Sequence, residues 1–245
     1  TSSLVNAYGM DALEYVLYAG PDTECPGQVT PVSDGLWESL GEEGVDSNRA
    51  ALAVTLAQEI RRQAEALRDT WDPAGDDFAG KLSLGPESPY GSTQEALNAV
   101  FDGLFYLEAM TKDLKLARPL GLSDCSDLVC PEDVESRWSG AGLEAVRANL
   151  LGFELVFTGG EGAGFDDLLL DVGHGDLCAE ILANLERALT AVDEVEGPLD
   201  EAVLDRADEV QELYEAVKAV TDLLKGDLAT VLALQIPSEA AGDND

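Results

Sequence analysis

Basic residues are scarce in this chain. Lys and Arg number 14 against 49 Asp and Glu, a formal net charge of −35 over 245 residues. Nucleic acid is therefore a poor partner, because phosphate contacts are made by Lys and Arg. An anionic membrane surface would repel a chain of this sign. Histidine is almost missing: His174 stands alone, which excludes a metal site built on paired imidazoles such as HExxH. No run of 18 apolar residues occurs, so no segment spans a membrane. A nucleophile elbow, a Gly-rich phosphate loop and a dinucleotide fingerprint are all lacking. The run Gly159-Gly-Glu-Gly-Ala-Gly164 follows no strand and reads as a connection between helices. Strand-like alternation is nearly absent, which excludes a sheet-based fold.

What remains is acidic, apolar and helical. The apolar share is 45%, enough for a sizeable core. A charge magnitude of about 2–8 suffices for a small soluble domain. The much larger excess here points to solubility, to cation attraction or to life in salty water. The four cysteines, Cys25, Cys125, Cys130 and Cys178, match no zinc pattern. They allow two disulfides in three connectivities. Cys125 and Cys130 share a polar, Pro-flanked loop that can close on itself. We expect at least one disulfide, and with it an oxidising compartment.

Apolar residues recur at helical spacing almost throughout. Helices are predicted over about 3–19, 47–70 (with Asp46 or Ser47 as N-cap), 93–118, 143–157, 165–172, 177–195 and 210–231. Loops are predicted at 20–45 and 72–91. The third helix has Leu97, Val100, Leu104, Leu107, Met110 and Leu114 as its apolar stripe. The fold class is all-α, of helical-bundle type. An echo at an offset of 140 aligns Ala12–Gly20 with Gly152–Gly160, each an apolar helix holding one acid and closed by glycine. It predicts two related helical units, 1–120 and 121–245, joined near 119–137 and forming one domain.

The candidate site lies in the first helix. Between Leu4 and Tyr18 only Asn6, Asp11 and Glu14 are strongly polar. Asp11 and Glu14 are three apart and share a helix face. So apolar a helix should lie deep, where an unpartnered acid costs several kcal/mol, roughly. A cation, a metal or a proton is then required, and two oxygen ligands suit a hard ion such as calcium, or iron. Tyr18, seven after Asp11, shares that face and can donate to it. Glu154 is the echo of Glu14, and its simplest role is a core acid paired with Arg147 or another base. Asn6 and Asn149 are placed to hydrogen-bond between helices. His174 reads as an exposed residue at the start of a helix, with Cys178 four residues on. Trp37, Trp71 and Trp138 lie near helix ends, as core edges or caps.

Gly9-Met-Asp11-Ala-Leu-Glu14 resembles the G-x-H-x-x-E signature of the imelysin family, with Asp at the histidine position. The following ALEYVLYAG, the helix ending at Trp71, the run Ser139–Gly152 and the acidic end Gly242–Asp245 are similar to that family in the same order. The resemblance implies two bundle-like units in a periplasmic or cell-surface lipoprotein. It also implies a metal or peptidase site at the signature, with relatives in iron-uptake systems. Members usually carry a further helix before the signature, so a helix and a lipid anchor are expected upstream of Thr1. Asp11 removes the ligand that suits zinc and weakens the case for peptidase chemistry, while Glu14 is unchanged. The expectation is a protein that binds iron, calcium or a protein partner near Asp11 and Glu14, with Gly9, Tyr18, Glu154 and Asn149 as neighbours, and that is not a working peptidase. The alternatives are a metallopeptidase using Glu14 and a scaffold lipoprotein with salt-bridged acids.

Overall fold

The computed structural model describes residues 9–19, 35–82 and 88–238, apart from the side chains of 36–38, and every regular element among them is helical. Helical periodicity without alternation leads to this result directly, because a helix satisfies its own backbone groups whichever stripe it buries. The chain divides into two compact units, Thr1–Gly85 and Pro86–Asp245. The joint at 119–137 drawn from the internal echo lies within the second of these.

The first unit holds α1 (Met10–Tyr18), α2 (Leu36–Trp71) and α3 (Phe78–Leu82). Helix α2 begins at Leu36, eleven residues before the predicted start, so neither Asp46 nor Ser47 caps it. The extension is interrupted at Gly41 (φ 64°, ψ 170°), where only glycine adopts the geometry without strain. A glycine amid turn-forming residues reads as loop, whereas here it kinks a continuous helix. Helix α1 packs along α2. At the far end of α2, Trp71 meets Phe78 of α3 edge to face with ring centroids 5.1 Å apart, inside a stretch predicted as loop. Cys25 and Asn6 lie outside the described residues, as do 83–87 and 239–245.

The second unit contains α4 (Thr93–Leu104), a π-wound segment (Leu107–Ala117), a short 3-10 turn (Pro131–Asp133), α5 (Gly142–Thr158), α6 (Phe165–Asp171), α7 (Gly175–Glu194), α8 (Leu199–Asp205), α9 (Ala207–Leu223), a second π segment (Leu224–Leu228) and α10 (Ala229–Val231). Ser92 caps α4 by accepting from the Glu95 N–H at 3.1 Å. Gly159, in the left-handed region at φ 66°, ends α5 where the sequence has its paired glycines. Helix α9 packs on α7 and on the first π segment, and α5 packs on both of those as well. The contact faces follow the predicted stripes. Leu177, Ile181, Leu185, Ala188, Val192 and Val195 of the helix predicted over 177–195 are all buried. So are Val210, Leu213, Val217, Val220, Leu224 and Leu228 of the last. Each large side chain so placed contributes about 1.5–3 kcal/mol.

One stripe departs from expectation. In the third predicted helix Leu104 and Leu107 are buried, but Leu114 is 41% exposed and Val100 38%. Glu108, Thr111, Lys112 and Lys115 are buried instead. For Leu114 and the buried polar residues the reason is a change of winding. Beyond Phe105 the helix widens, and the Arg118 N–H bonds the carbonyl of Asp113, five residues back, at 2.9 Å. A 3.6-residue stripe does not project onto such a turn.

Candidate functional site

Gly9 has extended backbone and precedes α1 directly, placing Asp11 in the first turn and Glu14 one turn later. The unpaired N–H groups of a first turn favour a carboxylate there. The helix is not deep: none of its residues is buried, Met10 is 74% exposed and Tyr18 60%. Asp11 is exposed and Glu14 half-buried. This corrects the premise that burial forces both acids to find a cation. An apolar sequence is necessary for a buried helix, but burial also needs partners on several sides.

The far end of α1 is held from α2. The Arg49 guanidinium donates to the carbonyl of Val16 (2.9 and 3.2 Å) and to that of Ala19 (2.6 Å). A cation at carbonyls that lack helical partners is the favourable arrangement for a helix C-terminus. Arg49 thus fixes α1 against α2 and, with it, the position of the signature turn.

The signature provides two carboxylates on one helix face. Calcium takes six to eight oxygens. Among the described residues no three His, Cys, Asp or Glu side chains converge. The donor set fits an open, water-completed site for a hard cation and does not fit a closed zinc centre.

The other predicted residues are dispersed. Asn149 donates its amide to the Thr111 hydroxyl at 3.0 Å, a bond between α5 and the π segment. Glu154 is half-buried, and Arg147 is paired with Asp193 at 3.0 Å; the expected Arg147 partner of Glu154 is therefore engaged on α7. His174 is exposed and stands as the N-cap position of α7, while Cys178 is a buried free thiol. Burial, with Asp166 and Asp167 nearby, pushes that thiol above its ordinary range, so it is not an activated ligand or nucleophile. Cys125 and Cys130 form a disulfide with Cα atoms 6.0 Å apart. It closes a loop whose Cys130 N–H bonds the Pro119 carbonyl at 2.9 Å. Trp138 is half-buried under the guanidinium of Arg137, 4.5 Å from its ring centroid.

A polar centre in the second unit escaped the sequence reading. Glu108 is 1% exposed and Lys112 0%. Glu108 Oε1 accepts from Lys225 Nζ at 2.5 Å and faces Lys112 Nζ at 3.3 Å. Lys112 also reaches Asp113 at 3.0 Å, and Lys115 is bonded to Glu135. Burial alone pushes the Glu108 carboxyl up, but the hydrogen bonds of Lys225 and Thr221 and the charge of Lys112 outweigh it, so the net shift is below its ordinary value. The Thr221 hydroxyl donates to the Lys218 carbonyl at 3.1 Å, so we place the weight on the two ammonium groups. The available signal was Leu107-Glu-Ala-Met echoing Tyr214-Glu-Ala-Val, which marks an acid in a helix but names neither lysine.

Two helical units, the second with its own apolar core, and a signature helix bearing one-turn carboxylates define an all-α helical-bundle protein. A family model described as imelysin matches residues 2–226, and the chain belongs to the imelysin family. No curated protein and no solved structure matches it.

Proposed function

We propose that this imelysin-family chain is an exported cation-binding protein whose altered signature, Asp11 with Glu14, holds calcium or iron, and that it is not a working peptidase. The observation that carries the reading is the oxygen-only pair: Asp11 stands where the signature has histidine, one turn from an unchanged Glu14 on the same helix. Carboxylates without imidazole suit hard ions. The exposure of Asp11 leaves room for water to complete the shell. The Cys125–Cys130 disulfide supports an oxidising, extracytoplasmic compartment.

Equilibrium dialysis tests the proposal, with calcium and ferric iron in separate arms. Sodium chloride at about 1 M shortens the screening length to about 3 Å and suppresses diffuse cation uptake by the acidic surface. The wild type is expected to show a saturable site that the Asp11→Ala/Glu14→Ala variant lacks. Equal uptake by both rejects the site.

The unchanged Glu14 favours a second reading, a metallopeptidase using it as ligand or base. Chelator-sensitive cleavage of an unfolded protein, lost in Glu14→Gln, would establish that reading; cleavage surviving in the variant removes it.

A further inference from the structure

Helix α1 lacks most of what keeps a short helix in place. It has nine residues, Met10–Tyr18, and helices shorter than about 12–15 residues are marginal in water by themselves. Gly9 offers no side-chain cap, and no basic residue stands in the last turn. The apolar support is thin. Among the described residues of the first unit only Ala19, Ala53 and Leu56 are buried. A recess of about 380 Å³, lined by Val16, Ala19, Arg49, Ala50 and Ala53, borders the end of the helix, so close packing does not seal it.

Arg49 supplies the missing cation from α2. Its Nη2 donates to the carbonyls of Val16 at 2.9 Å and Ala19 at 2.6 Å, and its Nε donates to Val16 at 3.2 Å. Carbonyls at a helix end have no helical N–H to accept from. Among the described residues every hydrogen bond of this guanidinium goes to a carbonyl at that end, Tyr15 included at 3.4 Å. In a chain with 49 acids, a guanidinium that bonds backbone and no carboxylate is committed to holding this helix.

The pairing of the signature acids depends on the same helix. Residues three apart share a face when wound, but in extended chain they point to opposite sides. Unwinding α1 therefore separates Asp11 from Glu14. A ligand that needs both acids favours the wound, docked state, and whatever favours that state raises the ligand's affinity by the same factor.

We propose that the cation site is assembled only when α1 is docked on α2, that Arg49 is its positioning residue, and that cation binding and docking drive each other. The inference rests on the cation-binding reading of Asp11 and Glu14. Arg49 acts from the last turn of α1, whereas the acids occupy the first two.

The test is amide hydrogen exchange on the full chain, first without metal. Wild type is compared with Arg49→Met, which keeps an apolar stem and loses every donor. The amides of Leu13–Ala19 are expected to exchange at least about fivefold faster in the variant, with α7 and α9 at the wild-type rate. Equal exchange over Leu13–Ala19 overturns the proposal. If Arg49→Met does not fold, Arg49→Lys, which keeps the charge but lacks the planar fork, is read in the same way. Loss of protection in α7 and α9 in both variants also overturns it, since Arg49 would then hold the whole chain and not one helix. The second arm adds calcium and ferric iron separately. Either cation bound at the site is expected to slow exchange over Leu13–Ala19 in wild type and not in Asp11→Ala/Glu14→Ala. Arg49→Met is expected to bind it at least about fivefold more weakly with unchanged stoichiometry. Equal affinity in wild type and Arg49→Met rejects the coupling and leaves the cation-binding reading standing. No saturable uptake by wild type removes that reading and the coupling with it, while the metal-free arm still decides whether Arg49 positions the helix.

Discussion

Replacing Glu108 by Gln leaves Lys112 and Lys225 facing a neutral amide in a dry core. Breaking a buried pair from one side costs about 3–5 kcal/mol, so Glu108→Gln is expected to lose that much unfolding free energy at neutral pH. The folded-state pKa of Glu108 is depressed. Its contribution is therefore present above the unfolded value of about 4.3 and is lost as pH falls through the lower folded value. Denaturant midpoints of wild type and variant should begin to draw together below about pH 4 and meet only below that lower folded value; a gap that stays constant over that fall contradicts the assignment. Legibility at this scale was uneven. Asp11 and Glu14 were conspicuous because acids interrupt an apolar helix, yet Asp11 proves exposed and Glu14 half-buried. Glu108 lay in a sequence with many acids, and its partner Lys225 is 117 residues away. Local spacing does not encode a partner that distant.

Among the elements, α5, α6, α7 and α9 fall where periodicity places them, since each presents one apolar stripe to a common core. Their ends were equally readable. Gly159 at φ 66° terminates α5, and Gly159→Ala is expected to cost more in thermal unfolding than the about 1–2 kcal/mol of a left-handed Cβ, because that Cβ would also lie 2.4 Å from the backbone of Ala163. The disulfide is a second handle. Closing a loop of this length stabilises by about 2 kcal/mol in the chain-entropy description. Reduction, or Cys125→Ser with Cys130→Ser, should lower the unfolding free energy by that amount; an unchanged value would place the bond outside the cooperative unit. The early start of α2 and its kink at Gly41 were not legible. Glycine signals a loop in isolation, and only the helix on either side of it shows otherwise.

For the whole molecule the governing quantity is the net charge of −35. Like charges at this density oppose the compact state, and salt screens them. Raising sodium chloride from about 0.1 to 1 M shortens the screening length from about 10 to 3 Å. The thermal midpoint should rise, by about 2–4 °C for each kcal/mol relieved, and a midpoint that falls with salt would show that attractive pairs dominate. By itself the sequence determined the helical class, the stripes of the second unit's long helices and the imelysin resemblance, because period and spacing are properties of neighbours along the chain. The winding of Leu107–Ala117, the buried Glu108–Lys225 pair and the shallow seat of the signature helix were decided only in three dimensions. Each depends on what a distant segment places opposite, and no local pattern carries that information.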